Sequence, residues 1–379
     1  MAVPGPSRQE GRIVEAIAQK LRRAGAPVSA IKVDPVHRRA PTKGEVGNLV
    51  LRLPGNIRAP RRLLMAHVDT VPLCVGAKPV VNDGWVVSAD SRTGVGADNR
   101  GGTSVILNAA LTILSRDLPH PPLTFLWPVQ EEIGLVGARH ASLAHLGKPK
   151  LAFNWDGGPP EKVTIGATGA YRMTITVHGR ASHAGGAPEL GVSAIAIAAL
   201  AIADLERDGW HGLIRKAHRH GTSNVGIIRG GESTNVVADL VQLRAEARSH
   251  DPRFRRRIVS AFERAFQTAA EKVRSAVGVR GRVEIERQLD YEAFQLDTHE
   301  PCVTAAENAM RTVGLEPYRA VSNGGLDANW LTARGIPTVT LGCGQLNPHT
   351  LSERLNVAAF QDACRIALCL ATASEPPPR

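Results

Sequence analysis

Short, almost continuously apolar runs constrain this chain more than any other feature. They fall at 63–66 (LLMA), 123–129 (LTFLWPV), 150–156 (KLAFNWD) and 336–342 (IPTVTLG), with another at 48–53. A strand with one wet face alternates apolar and polar residues. A run that is apolar throughout needs cover on both faces, as in a parallel sheet between helical layers. Helical patterns separate the runs. Residues 8–24 place Ile13, Ala16, Ile17 and Leu21 at helical spacing, with Ser7 as the expected N-cap and Gly25 as the stop. Residues 102–116, 300–313 and 357–373 also read as helices. This alternation of strand and helix predicts the α/β class.

From about residue 165 to about residue 296 the pattern differs. Segments 171–179, 223–231, 241–250 and 283–294 alternate. Helices are expected at 190–207 and 252–276, the second with Phe254, Ile258, Phe262 and Phe266 four apart. That β-α-β-β-α-β order predicts a ferredoxin-like α+β unit with its helices on one face. A chain of 379 residues exceeds one ordinary core. We therefore expect an α/β domain built from 1–166 and 295–379, interrupted by an α+β insert at 167–294. The terminal EPPPR is expected to fray.

Composition narrows the function by exclusion. No apolar stretch reaches the roughly 18–20 residues of a membrane span, and the first residues carry no apolar signal core. Cys74, Cys302, Cys343, Cys364 and Cys369 are scattered and form no CxxC pair, which suits free thiols in a reducing compartment. A cytoplasmic protein without a membrane partner is expected. The net charge of +11 would suit a polyanion. Yet the basic residues are spread out, only 253–257 is dense, and aromatics are 4%, too few for base stacking. No nucleic-acid partner is expected.

The residues able to do chemistry gather behind the apolar runs. His67 and Asp69 follow the first run. Two apart on an extended chain, they point to one side, where the aspartate can orient a metal-binding imidazole. Asp98 sits in a glycine-rich turn, Gly94 to Gly102, before a helix. The turn matches neither phosphate-binding pattern, and its carboxylate suits a cation or a helix cap. Glu131 and Glu132 are adjacent acids that repel unless a cation or proton intervenes, so one could bind metal while the other moves protons. Asp156 follows the third run, and His349 follows the fourth after a glycine-rich turn. Each alone could be a capping or surface group. Together, two imidazoles and several carboxylates without a thiolate suit Zn, Mn or Co. Five ligands with one shared carboxylate would hold two ions roughly 3.5–4 Å apart.

These segments resemble the M20 metallopeptidase family over nearly the whole chain. MAHVDTVP, GVGADNRGG, QEEIGLVGA, NWDGG and NPHTLSERLNV occur in the family's order, and GRASHAG with PELG matches its insert. NVVADLVQLRAEARSHD and the DGG at 156–158 are nearest to the peptidase-T-like branch. The resemblance implies a discontinuous zinc-hydrolase domain with an inserted lid and dimerisation domain. It implies that Asp98 bridges two divalent ions, most often zinc, with His67 and Asp156 on one ion and Glu132 and His349 on the other. Asp69 would orient His67, and Glu131 would be the general base. His183, reaching the oxyanion from the partner subunit of a homodimer, Asn235 and Arg248 would contact substrate, Arg248 through a carboxylate. The Asp98–Asn99 peptide bond would be cis, and Arg100 keeps the charge of the family's usual lysine. The implied reaction is amide hydrolysis of small peptides. The alternatives are deacylation of N-acyl amino acids, with the same core and a different pocket, and a non-catalytic basic binding protein on the same fold.

Overall fold

The computed structural model describes residues 1–372, and the terminal EPPPR lies outside them. The chain forms two compact units: Thr168–Ala293, and the two stretches that flank it, Met1–Ala167 and Phe294 onward. The first stretch runs α1 (Gly11–Arg23), β1 (Ile31–Asp34), α2 (Val36–Arg39), β2 (Asn48–Leu53), β3 (Arg62–Met65), β4 (Pro79–Asn82) and β5 (Trp85–Ser88). It continues through α3 (Ala97–Arg116), β6 (Leu123–Trp127), α4 (Val136–His140), α5 (Leu143–Leu146), β7 (Leu151–Trp155) and β8 (Lys162–Ala167). The second unit holds β9 (Gly169–His178), α6 (Ala194–Arg207), β10 (Gly212–Lys216), β11 (Arg219–Gly230), β12 (Leu240–Ser249), α7 (Pro252–Lys272) and β13 (Arg282–Tyr291). The chain then returns with β14 (Phe294–Gln295), α8 (Pro301–Thr312), β15 (Tyr318–Ser322), α9 (Asp327–Ala333), β16 (Thr338–Leu341), β17 (Gln345–Leu346), β18 (Arg354–Asn356) and α10 (Val357–Ala371).

The apolar runs form the centre of the main sheet. Strands β6, β3, β7 and β16 lie side by side and parallel. Phe125, Leu64, Phe153 and Val339 line up across them and share a core with Leu21 of α1, Ile106 of α3, Met310 of α8 and Ile366 of α10. Leu63, Met65, Leu126 and Ala152 join Ala138 of α4 and Leu331 of α9 in a separate core. Cover on both faces removes the alternation. On the flanks, β1-β2-β6 on one side and β16-β8-β14 on the other are antiparallel, with β15 parallel to β8. Strands β17, β18, β5 and β4 make a small separate sheet. Parallel order puts the carboxyl ends of β3, β6, β7 and β16 on one side, the usual place for a site in such a sheet.

The start of α1 departs from expectation. The helix begins at Gly11 behind Glu10, with no side-chain cap, and Ser7 Oγ donates instead to Asp69 Oδ2 at 2.6 Å. Gly25, with φ +94°, does mark the stop. No helix among the described residues is long and apolar enough to cross a membrane.

The second unit is a five-stranded antiparallel sheet in the order β10-β11-β12-β9-β13. Without β10, its elements follow the ferredoxin-like order. Phe254, Ile258, Phe262 and Phe266 of α7 share one core with Ile197 of α6 and with Ile175, Val177 and Leu243 of the sheet. Asp251 caps α7 by accepting from the amides of Arg253 and Phe254.

Candidate metal centre

Backbone pairing continues beyond β3. The amides of Ala66 and Val68 donate to the carbonyls of Leu126 and Pro128. The segment therefore stays extended, and His67 and Asp69 share a side, with His67 Nδ1 3.3 Å from Asp69 Oδ1. Asp98 lies in the turn into α3, where the Asp98–Asn99 peptide is cis and neither residue is helical. Asn99 does the capping: its Oδ1 accepts from Gly102 N at 3.0 Å, and its Nδ2 donates to Trp155 O at 2.6 Å. Asp98 thereby keeps its carboxylate for the site. Its Oδ1 lies 3.3 Å from His67 Nε2, and its Oδ2 lies 3.3 Å from His349 Nε2. His349, with φ +64°, also lies 2.9 Å from Glu132 Oε2.

Two groups of donors follow. His67, Asp98 and Asp156 form one; Asp98, Glu132 and His349 form the other; within each, the ligand atoms lie within 4.8 Å of one another. Asp98 is common to both. A third grouping joins His67 with Glu131 and Glu132. Asp98 Oδ1, the oxygen on the His67 side, is buried and accepts no hydrogen bond. The nitrogen and oxygen donors fit divalent cations of the zinc, manganese and cobalt type.

Electrostatics favour positive charge at this centre. Burial raises the carboxyls of Glu131, Glu132 and Asp156 above their ordinary range, and neighbouring acids raise them further. Burial acts against the charged form of His67, yet Glu131, Asp69 and Asp98 raise it well above the usual imidazole value. Contact with Asp98 and Glu132 raises His349 to about 10. Burial opposes the charge on Asp98 too, but His349 and His67 hold its carboxyl low. Protons on the imidazoles or cations between the groups can supply the balance.

Residues 63–373 match the model of peptidase family M20/M25/M40. The chain belongs to that family. This M20 peptidase is 31% identical over 312 residues to the uncharacterized protein YqjE of Bacillus subtilis (strain 168), covering 82% of this chain and 80% of that one. A tripeptidase structure from Staphylococcus aureus superposes with a TM-score of 0.86 at 30% identity, covering 98% of this chain and 95% of that one. The aminopeptidase PepT from Bacillus cereus superposes with a TM-score of 0.81 at 30% identity and the same coverage.

In this M20 peptidase, His67, Asp69, Asp98, Glu131, Glu132, Asp156 and His349 come together in the first unit. His183, Asn235 and Arg248 belong to the second. There the amide of Ala184 donates to the carbonyl of Asn235 at 2.9 Å, so His183 and Asn235 are neighbours. His183 Nδ1 accepts the amides of Gly185 and Gly186 at 3.1 and 2.9 Å, which leaves the ring proton of the neutral form on Nε2. Arg248 is paired along β12 with Glu246, through Nε and Nη2 at 2.9 Å each.

Glu353 and Asp327 of the first unit escaped the sequence reading. Glu353 accepts the amides of Gly96 and Asp98 at 2.6 and 2.9 Å, fixing the turn that carries Asp98. It lies in the NPHTLSERLNV segment, four residues after His349. Arg100 is buried and donates to the carbonyl of Val3 at 3.1 Å, so its charge serves the fold. Asp327, at the start of α9, is fully buried with neither oxygen hydrogen-bonded, and burial pushes its carboxyl up to about 7.

Proposed function

We propose that this M20 peptidase hydrolyses amide bonds of small peptides at a dinuclear metal centre. The carrying observation is the pair of three-residue groups that share Asp98. His67 and Asp156 would complete one ion's shell, and Glu132 and His349 the other's. Two bound cations, zinc in preference to manganese or cobalt, would polarise the scissile carbonyl and lower the pKa of a shared water. Glu131 takes the proton of the attacking water and returns it to the leaving nitrogen. Asp69 holds His67 by its Nδ1 edge. The partner's His183 would donate a hydrogen bond from Nε2 to the developing oxyanion. Asn235 and Arg248 contact the substrate, Arg248 through a carboxylate. The solved neighbours described as a tripeptidase and an aminopeptidase support a short peptide with a free amine.

The catalytic domain of this reading is 1–166 with 295–379, and 167–294 serves as lid and dimerisation domain. Beyond Ser223, β11 pairs only with β12 among the described residues. This open edge exposes Ile227 and Ile228, which supports pairing with a second copy of the chain. Cys74, Cys302 and Cys343, buried and in no disulfide, support a cytoplasmic location.

The test is hydrolysis of dipeptides, tripeptides and N-acetyl amino acids by metal-stripped protein, before and after zinc, manganese or cobalt is added. Tripeptide or dipeptide cleavage restored by metal is expected. Preference for the N-acetyl substrates would replace the peptidase reading with a deacylase, and no restoration by any metal would sink the dinuclear reading.

A further inference from the structure

Glu131 and Glu132 sit on a segment whose backbone is unusually well held. Gln130, just before them, is fully buried and has a left-handed backbone, φ +58°. A non-glycine residue stays there only when its surroundings fix it. Its side chain is anchored at both ends: Oε1 accepts from Thr42 Oγ1 at 2.6 Å, and Nε2 donates to Lys43 O at 2.8 Å. Its amide donates to Glu10 Oε1 at 3.0 Å. The next two amides, of Glu131 and Glu132, donate to Asp69 Oδ1 and Oδ2 at 3.0 and 3.2 Å. Three successive amides therefore end on two buried side-chain carboxyl groups. Ser7 Oγ holds one of these, Asp69, from the N-terminal segment.

Glu10 stands just before α1, yet it does not cap that helix. The same Oε1 also accepts the amide of Arg8, another non-glycine residue with positive φ, +79°, at 2.9 Å. One oxygen thus satisfies two left-handed residues 122 positions apart. Its partner atom, Oε2, is buried without a hydrogen bond, a costly feature to keep without a purpose.

We propose that Glu10 is a positioning residue for Glu131 and Glu132. It fixes the peptide before them as Asp69 fixes their own, so that one acid faces the metals and the other the water. The inference rests on the roles assigned to these two acids above. Rotation of the Gln130 peptide would turn both side chains.

The test uses the zinc-loaded full chain with Glu10→Ala and Glu10→Gln. Glutamine keeps an acceptor oxygen for Gln130 and Arg8; alanine removes it. Three readouts are taken: kcat and KM on a tripeptide, zinc affinity by competition with a chromophoric chelator, and Tm. Glu10→Ala should lose roughly 10–100-fold in kcat or zinc affinity, with KM moved less than about threefold, and Glu10→Gln should recover to within about threefold of the parent. Parent-like values for Glu10→Ala overturn the proposal, as does equal damage in both variants. If the alanine variant does not fold, Glu10→Asp, with a side chain one methylene shorter, takes its place. Parent-like activity and affinity there also overturn the proposal. A parent protein that binds no zinc or cleaves no peptide would instead refute the dinuclear reading itself.

Discussion

Glu131 and Glu132 are neighbours with one chemistry and two proposed tasks, and their backbone explains how. Asp69 takes one amide with each carboxylate oxygen, so both side chains leave a fixed backbone, and an oxygen of each lies within 4.8 Å of a His67 nitrogen. On the dinuclear reading, Glu131→Gln should lower kcat by about 10²–10⁴-fold, because proton transfer is lost. Its zinc content, read by atomic emission, should stay at the parental value. Glu132→Gln should instead lose zinc. Glu10 makes a different prediction. Burial pushes its carboxyl from 4.5 to about 7. The folded chain therefore holds a proton that the unfolded chain releases at lower pH, and the group costs stability as pH rises through that window. Glu10→Gln removes the dependence, so its Tm relative to the parent should climb from pH 5 to pH 8. An unchanged difference would show that Glu10 does not titrate there. The seven residues gathered at the centre were legible because each lies just beyond an apolar run or within a motif. Glu10 left no such mark, and the motifs that contain Asn99 and Glu353 do not show what those two residues hold. Their work is to accept backbone amides, some from more than 100 positions away, and no spacing rule records that.

Helices and strands were most legible where burial was regular. Phe254, Ile258, Phe262 and Phe266 of α7 recur every fourth residue, and Phe262 is fully buried. Phe262→Ala should destabilise the protein by about 3–5 kcal/mol in chemical denaturation. A loss under about 1 kcal/mol would mean that the site collapses around the smaller side chain. Strand β10 went unread because its hairpin, IRKAHRHG, looks like a solvated basic loop. Edge strands are often charged in this way, which blunts their pairing with other chains. Hairpin β4–β5 also escaped, although its Asp83-Gly84 turn, with φ +46° and +76°, is a local signal the chain does carry. Elements that depend on distant strands, such as β8 and β15, have no signal of that kind.

At the scale of the whole molecule, the open edge of β11 leads to a prediction about assembly. On the proposed dimer reading, Ile228→Asp places a charge on the exposed strand and should shift sedimentation velocity from dimer toward monomer, while Tm stays within a few degrees. A parent that already sediments as a monomer would refute the dimer. The two-unit architecture itself was legible as a change in the period of the pattern. The small sheet that includes β17 and β18 was not, because those strands are only two and three residues long. The order of the main sheet also bears on how the chain is made. Among the described residues, strand β8 pairs only with β14, β15 and β16, all of which follow the second unit. On a ribosome, which releases the chain from its N-terminus, β8 therefore waits without a partner while about 125 further residues appear. His349 emerges later still. On the dinuclear reading, the set of His67, Asp98 and Asp156 is then present before the second unit appears, while the set of Asp98, Glu132 and His349 is completed only after it.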